Sequence, residues 1–226
     1  MKIVNFKIEN PIILDSSKTS TLIIENPCFF TYTVNELNKQ IKGEDGSFLL
    51  FKNEKEIKFS SSATIVFDPI NLILNDRKII NKLYPLLKNV AFENDNYLLT
   101  QEIVSGLENY MLKLFDKVDY SLSFDIELDS IFKLCGIKLQ EIYENLVEKI
   151  IDYINVLIEL KIADLLILVN LKSYINLSDL QELYKHCIYK DFSLLLIENN
   201  FREPVSNEER VLIIDNDLCE ILVNYP

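Results

Sequence analysis

The apolar residues change period twice along the chain, and this limits the fold more than any single motif. Up to about residue 70 they fall in short runs between turn residues: IVNFKI at 3–8, TLIIE at 21–25, FLLF at 48–51 and ATIVF at 63–67. Runs of that length suit strands, some buried on both faces. From about 70 to 162 the spacing becomes three or four. Ile79, Ile80, Leu83, Leu86 and Leu87 form one stripe, and Ile103, Leu107, Tyr110, Met111 and Leu114 a second. Leu139, Ile142, Leu146, Ile150, Tyr153 and Leu157 form a third. These are the stripes of packed amphipathic helices, the first broken or kinked near Pro85. From 163 strands return, as LLILVN at 165–170, LLLIE at 194–198 and VLIID at 211–215.

Local signals place the connections. Asn26–Pro27 and Asp68–Pro69 each set a capping side chain before a proline at a first helical position, predicting a helix from Pro27 to about Gln40. A shorter helix over 125–135 closes at Gly136. Ser178-x-x-Gln181 fits a capping box, and LLILVN, the helix it opens and LLLIE make a βαβ unit. Asp215–Asn216–Asp217 is a turn signal before a closing antiparallel hairpin at 221–223. The expected fold is α/β: a mostly parallel sheet head from 1–75 and 163–226, with an inserted α-helical arm over 76–162.

Several chemistries lack their residues. The loop after TLIIE is Asn26–Pro27–Cys28, with no glycine and no Lys-Ser/Thr pair, so no P-loop (Walker A) cradle can form. Asp68 at the end of IVFD reads as a helix cap rather than a magnesium acid. His186 is the only imidazole, which removes His-dyad mechanisms and most zinc sites, and no Gly-x-Ser-x-Gly elbow is present. Beside a helix end, His186 reads as structural or solvated. Cys28, Cys135, Cys187 and Cys219 are far apart without a CxxC pair, and read as free thiols of a reducing compartment. The opening residues have no signal-peptide core, and no apolar run approaches the ~20 residues of a membrane span. The expectation is a cytoplasmic protein with no membrane partner.

The formal charge is −12, which by itself argues against nucleic acid. Split at 75 and 162, the segments carry −1, −5 and −6, from 8 basic against 9 acidic residues, 10 against 15, and 5 against 11. Asp119, Asp125, Glu127 and Asp129 lie in one stretch without a base. Oxygen ligands on such an inter-helix loop suit calcium, and a solvated loop is the plainer alternative. Paired acids of a metal-dependent nuclease are a further alternative for Asp119–Asp129. Basic residues form small groups: Arg77, Lys78 and Lys82; Lys52, Lys55 and Lys58; and Lys133-x-x-Gly136-x-Lys138. Each alone reads as a solvated face unless folding or assembly gathers them.

The order of features resembles the Csn2 family, small CRISPR-associated adaptation proteins of type II-A systems. TLIIENP, SFDIELDSIFKLCGIK at 123–138, LLILVN with YINLSDLQELYKH at 174–186, LLLIENNFRE at 194–203 and IIDNDLCEIL at 213–222 carry it. The resemblance implies a homotetrameric ring of α/β heads and helical arms, the head related to P-loop ATPases without a working nucleotide site. It implies calcium bound by arm carboxylates, and encirclement of double-stranded DNA loaded from free ends. It also implies a non-enzymatic role in spacer acquisition for antiviral defence, beside the CRISPR integrase complex and the RNA-guided effector nuclease. Lys133, Gly136 and Lys138 match the family's Lys-x-x-Gly-x-Lys, which assigns these lysines to DNA backbone, with Arg77, Lys78 and Lys82 as further candidates. Glu108, Asp116 and Asp125 fall where members of the family carry acids. Their denser acidic run is replaced here by Tyr120–Ser121–Leu122–Ser123–Phe124, so Asp119, Glu127 and Asp129 complete the expected calcium set. A degenerate nucleotide-binding scaffold that never touches DNA is the remaining alternative.

Overall fold

A computed structural model describes residues 1–15, 17–202 and 209–223. Ser16, and Glu203, which ends LLLIENNFRE, lie outside the described residues. The chain divides into two compact units, Met1–Ile73 with Glu141–Pro226, and Leu74–Gln140.

The first unit, the head, holds two sheets. Strands β1 (Lys2–Asn5), β2 (Ile8–Ile13), β4 (Phe48–Lys52) and β5 (Lys55–Ile57) form an antiparallel sheet in the order β2-β1-β4-β5. Strands β3 (Thr19–Ile24), β6 (Ala63–Val66), β7 (Leu165–Val169), β8 (Ser193–Glu198), β9 (Glu209–Ile214) and β10 (Glu220–Val223) form the larger sheet, in the order β10-β9-β3-β8-β7-β6. All its pairings are parallel except the terminal β9–β10 hairpin. β3, β7, β8 and β9 are buried at every position, as strands covered on both faces must be. Helix α1 (Pro27–Ile41) sets Phe29, Val34 and Leu37 into a core with Leu22, Ile24, Ile167, Ile197 and Leu212 of the sheet. Alternate residues Ile23, Val211 and Ile213 face the other way and form a second cluster. α2 is a single turn (Phe59–Ser62).

The second unit, the arm, holds α3 (Arg77–Ala91), α4 (Asn94–Phe115) and α5 (Leu128–Leu134). α6 (Leu146–Glu159) and α7 (Leu177–Tyr189) belong to the head, where they pack against each other.

Five expectations are corrected. IVNFKI is not one strand: Asn5 Oδ1 accepts from the Lys7 backbone N–H at 2.8 Å, and this local turn reverses the chain at Phe6–Lys7. Asp68–Pro69 opens no helix, because Asp68 binds the Asn71 backbone N–H (3.2 Å) and amide (2.7 Å) and closes a turn. Pro85 does not break α3, which runs through to Ala91 with Leu83 and Tyr84 buried before the proline. The third stripe becomes helical only at Leu146, where Asn145 Oδ1 caps the Glu148 N–H at 2.9 Å; α6 then buries Val147, Ile150, Tyr153, Ile154 and Leu157. The arm therefore ends at Gln140 rather than at 162. Last, α7 is capped by Asn176, which accepts from the Asp179 N–H at 2.9 Å, and not by Ser178.

Candidate nucleic-acid interface

The basic residues singled out from the sequence as DNA candidates all lie in the arm. α3 begins at Asp76, whose Oδ1 accepts from the Ile79 N–H at 2.8 Å, so Arg77 and Lys78 occupy its first turn. Ile79, Leu83 and Tyr84 face inward, which leaves Arg77, Lys78 and Lys82 exposed. α5 closes on Cys135, and Gly136 adopts the left-handed backbone (φ 62°) that turns the chain off the helix. Of the two lysines flanking that turn, Lys133 is exposed at the end of α5 and Lys138 is exposed beyond it.

A paired amide contact joins these two groups. Asn75 Nδ2 donates to the Leu139 carbonyl at 3.0 Å, and the Leu139 N–H donates back to Asn75 Oδ1 at 2.7 Å. Asn75 is two residues from Arg77, and Leu139 is next to Lys138, so the clamp brings the start of α3 against the chain leaving α5. The ring contact of Tyr84 with Phe132, 5.9 Å between centroids, holds the two helices together. None of the four ion pairs among the described residues uses any of the five basic side chains. Exposed guanidinium and ammonium groups outside ion pairs can meet phosphate oxygens. Asn75, the residue that makes the group, carries no signal in the sequence, where an isolated Asn reads only as a turn residue.

The acids behave differently. Glu108 is exposed on α4, Asp116 caps its end, Asp119 and Asp125 lie in the connection beyond, and Glu127 and Asp129 stand at the start of α5. Of these six, only Asp129 has a buried carboxylate oxygen without a hydrogen-bond partner. Among the described residues no three or more His, Cys, Asp or Glu side chains are gathered closely enough to hold a metal ion. Among the described residues, the six carboxylates expected to bind calcium do not form one gathered set within a chain. In the connection between α4 and α5, Phe124 packs edge-on against Phe115 (5.4 Å). The nuclease alternative lacks a gathered ligand set on the same ground.

In the head, the position after β3 has no phosphate cradle. Asn26 Oδ1 accepts from the Cys28 N–H (3.1 Å) and the Phe29 N–H (3.0 Å), and Pro27 has no N–H, so the helix start offers an anion little. The cavity there, about 250 Å³, is lined by Ile24, Glu25, Pro27, Phe30, Asn199 and Asn200 and has no cation. Beneath the sheet lies a buried ionic group that the sequence did not reveal. The Lys172 ammonium pairs with Glu209, Thr21 Oγ1 donates to the same carboxylate, and Glu198 accepts from the Lys172 backbone N–H at 2.9 Å. Burial pushes Glu198 up to about 6, against the pull of Lys172 and Arg202. His186 is half-buried and bonded to Asn155 at 3.0 Å, and burial lowers its pKa; it has a structural partner. Cys28, Cys135, Cys187 and Cys219 are free thiols. Among the described residues no helix is long and apolar enough to cross a membrane.

Fold and site together define an α/β protein with a mostly parallel sheet, no phosphate cradle at the helix start after its β3 strand, and a second, helical unit. The chain matches the family CRISPR-associated protein (Cas_Csn2) over residues 40–218, and it belongs to that family. Its fold is similar to that in the crystal structure of Stu0660 of Streptococcus thermophilus, with a TM-score of 0.61 at 16% identity. That likeness covers 95% of this chain and 75% of the other. No curated protein matches the sequence.

Proposed function

We propose that the protein is a non-enzymatic binder of double-stranded DNA ends that acts as a ring of four copies in CRISPR spacer acquisition. In that role it would work in the cytoplasm beside the integrase complex and the RNA-guided effector nuclease. The observation that carries the reading is the Asn75–Leu139 clamp, which joins the start of α3, bearing Arg77 and Lys78, to the chain leaving α5, bearing Lys138, in a chain of net charge −12. A net charge of −12 repels DNA from most of the surface, so binding is confined to this basic group and strengthened when several copies face one duplex.

Pairings of this kind read phosphate and not sequence, so affinity falls steeply with salt. The test is retardation of a linear duplex against a covalently closed circle of the same sequence, across a salt series. Linear DNA binds and the closed circle does not; equal affinity for the circle rules out threading from ends. Lys133→Glu with Lys138→Glu abolishes binding and leaves the native mass unchanged. The milder Lys138→Gln flattens the slope of log K against log salt by about 0.9, the share of one neutralised phosphate. A double variant that binds as tightly as the parent moves the interface elsewhere.

A further inference from the structure

Ligands of open α/β sheets sit at the carboxyl ends of the strands, where this head has only the small cavity without a cation. A larger cavity, about 670 Å³, lies at the opposite end, below the amino ends of β7 and β8. Its volume is within the roughly 300–1,000 Å³ of small-molecule sites. The residues that enter the two strands make its floor. Ala163 and Phe192 are buried there, and the Ser193 N–H donates to the Asp164 carbonyl at 3.3 Å, which ties the strand starts together. Leu14 and Ile158 add apolar wall. Ser193 also lines the cavity and is only 8% exposed, yet its hydroxyl makes no hydrogen bond among the described residues. A buried hydroxyl without a partner is costly, and a ligand in this cavity supplies one.

Lys161 and Lys190 line the same cavity, each where a helix ends. Leu160 caps α6 and Lys190 caps α7, and Lys161 and Asp191 take the left-handed backbone (φ 50° and 53°) that turns the chain toward β7 and β8. A helix C-terminus attracts a lysine through its free carbonyls. Here carbonyls of both last turns are already taken: Leu157 accepts from the Ile162 N–H at 2.9 Å, and Cys187 from the Phe192 N–H at 3.0 Å. Two of the three lining acids are engaged as well. Asp15 pairs with Arg210 and Asp164 with Lys52, each at 2.7 Å. Lys161 and Lys190 enter no ion pair among the described residues. Two side-chain ammoniums therefore stand against the single carboxylate of Asp191, and the cavity favours an anion.

We infer that this cavity binds a phosphate monoester. The phosphate group meets Lys161 and Lys190 and accepts from the Ser193 hydroxyl, while the organic part lies on Leu14, Ile158 and Phe192. Near pH 7 such a group carries a charge of about −1.5 to −2 and three acceptor oxygens, enough for both ammoniums and the hydroxyl. The test is calorimetric titration of the full-length protein with adenosine monophosphate, glycerol phosphate and inorganic phosphate, with adenosine and glycerol as controls. The phosphorylated probes bind and the controls do not. Lys161→Gln with Lys190→Gln abolishes binding. Ser193→Ala weakens it roughly tenfold, the share of one hydrogen bond to a charged group. Asp191→Asn, which keeps a residue tolerant of the left-handed backbone, tightens it about threefold by removing a like charge. Each variant keeps the thermal transition of the parent.

Absence of binding by every phosphorylated probe overturns the inference. Adenosine bound as tightly as its monophosphate overturns it too, since the cavity then reads the ring and not the phosphate. A Lys161→Gln, Lys190→Gln protein that binds like the parent moves the anion elsewhere on the surface. Lys133→Glu with Lys138→Glu leaves the affinity for the phosphorylated probes unchanged; a loss there places the phosphate on the arm and counts against this cavity. The inference concerns the head alone and does not rest on DNA binding. Failure to retard DNA therefore leaves the titration standing, and a null titration leaves the DNA reading intact.

Discussion

Head and arm are stabilised by opposite means. In the head, β3, β8 and β9 are buried at all six positions each, and even the charged Lys172 and Glu209 are enclosed. In the arm, α4 has 22 residues and no buried side chain among those described, and α5 buries only Leu128. The head completes its own core. The arm leaves apolar side chains such as Ile103 and Tyr110 exposed, together with cations that none of the ion pairs among the described residues uses. The difference teaches that periodicity identifies a helix but does not say which molecule its apolar face will meet.

The contrast can be broken most severely in the head. Lys172→Met strands the buried Glu209 carboxylate and lowers stability by about 3–5 kcal/mol in chemical denaturation. A loss as small as that of a surface lysine would mean that the ion pair is not enclosed. The next effect is the pH dependence set by Glu198. Its folded pKa, about 6, exceeds its ordinary value of 4.5, so the folded state holds the proton more tightly. The stability it contributes is fully present below about 4.5 and is lost as pH rises through 6, roughly 2 kcal/mol in all. Glu198→Gln therefore flattens the fall of melting temperature between pH 5 and 7; an unchanged slope would assign it to other groups.

Smaller effects probe the arm. Asn75→Ala removes both clamp hydrogen bonds and costs about 1–2 kcal/mol in the arm alone. Hydrogen exchange quickens around Leu139, the head is unaffected, and DNA affinity drops because Lys138 is no longer held beside α3. If affinity is retained, the clamp does not organise the basic group. The least effect is expected from a calcium chelator, since the arm carboxylates form no ligand set within a chain among the described residues. Native mass stays constant with and without chelator, and a shift in mass would locate calcium ligands contributed by more than one copy.

Much of the head was legible because its signals are local. Fully apolar runs such as LLILV and LLLIE belong to strands covered on both faces, and Asn26–Pro27 marks a helix start by cap chemistry alone. Local signals misled where a side chain could satisfy the backbone in two ways. Asn5 and Asp68 close turns where a strand and a helix were expected, because their short polar side chains reach the backbone two or three residues on. The candidate site was legible by residue type and not by grouping. Lys133, Lys138, Arg77, Lys78 and Lys82 were each visible, but nothing in their spacing relates residue 75 to residue 139.

The amino-acid sequence by itself determined the buried strands of the larger sheet, helix α1, the α/β class and the lack of a phosphate loop after β3, since these follow from short-range periodicity, caps and missing glycines. Only the tertiary structure decided that α6 belongs to the head and that the start of α3 is joined to the chain leaving α5. Those outcomes depend on which surfaces are left after packing, a property of the whole chain in three dimensions and not of any window along it.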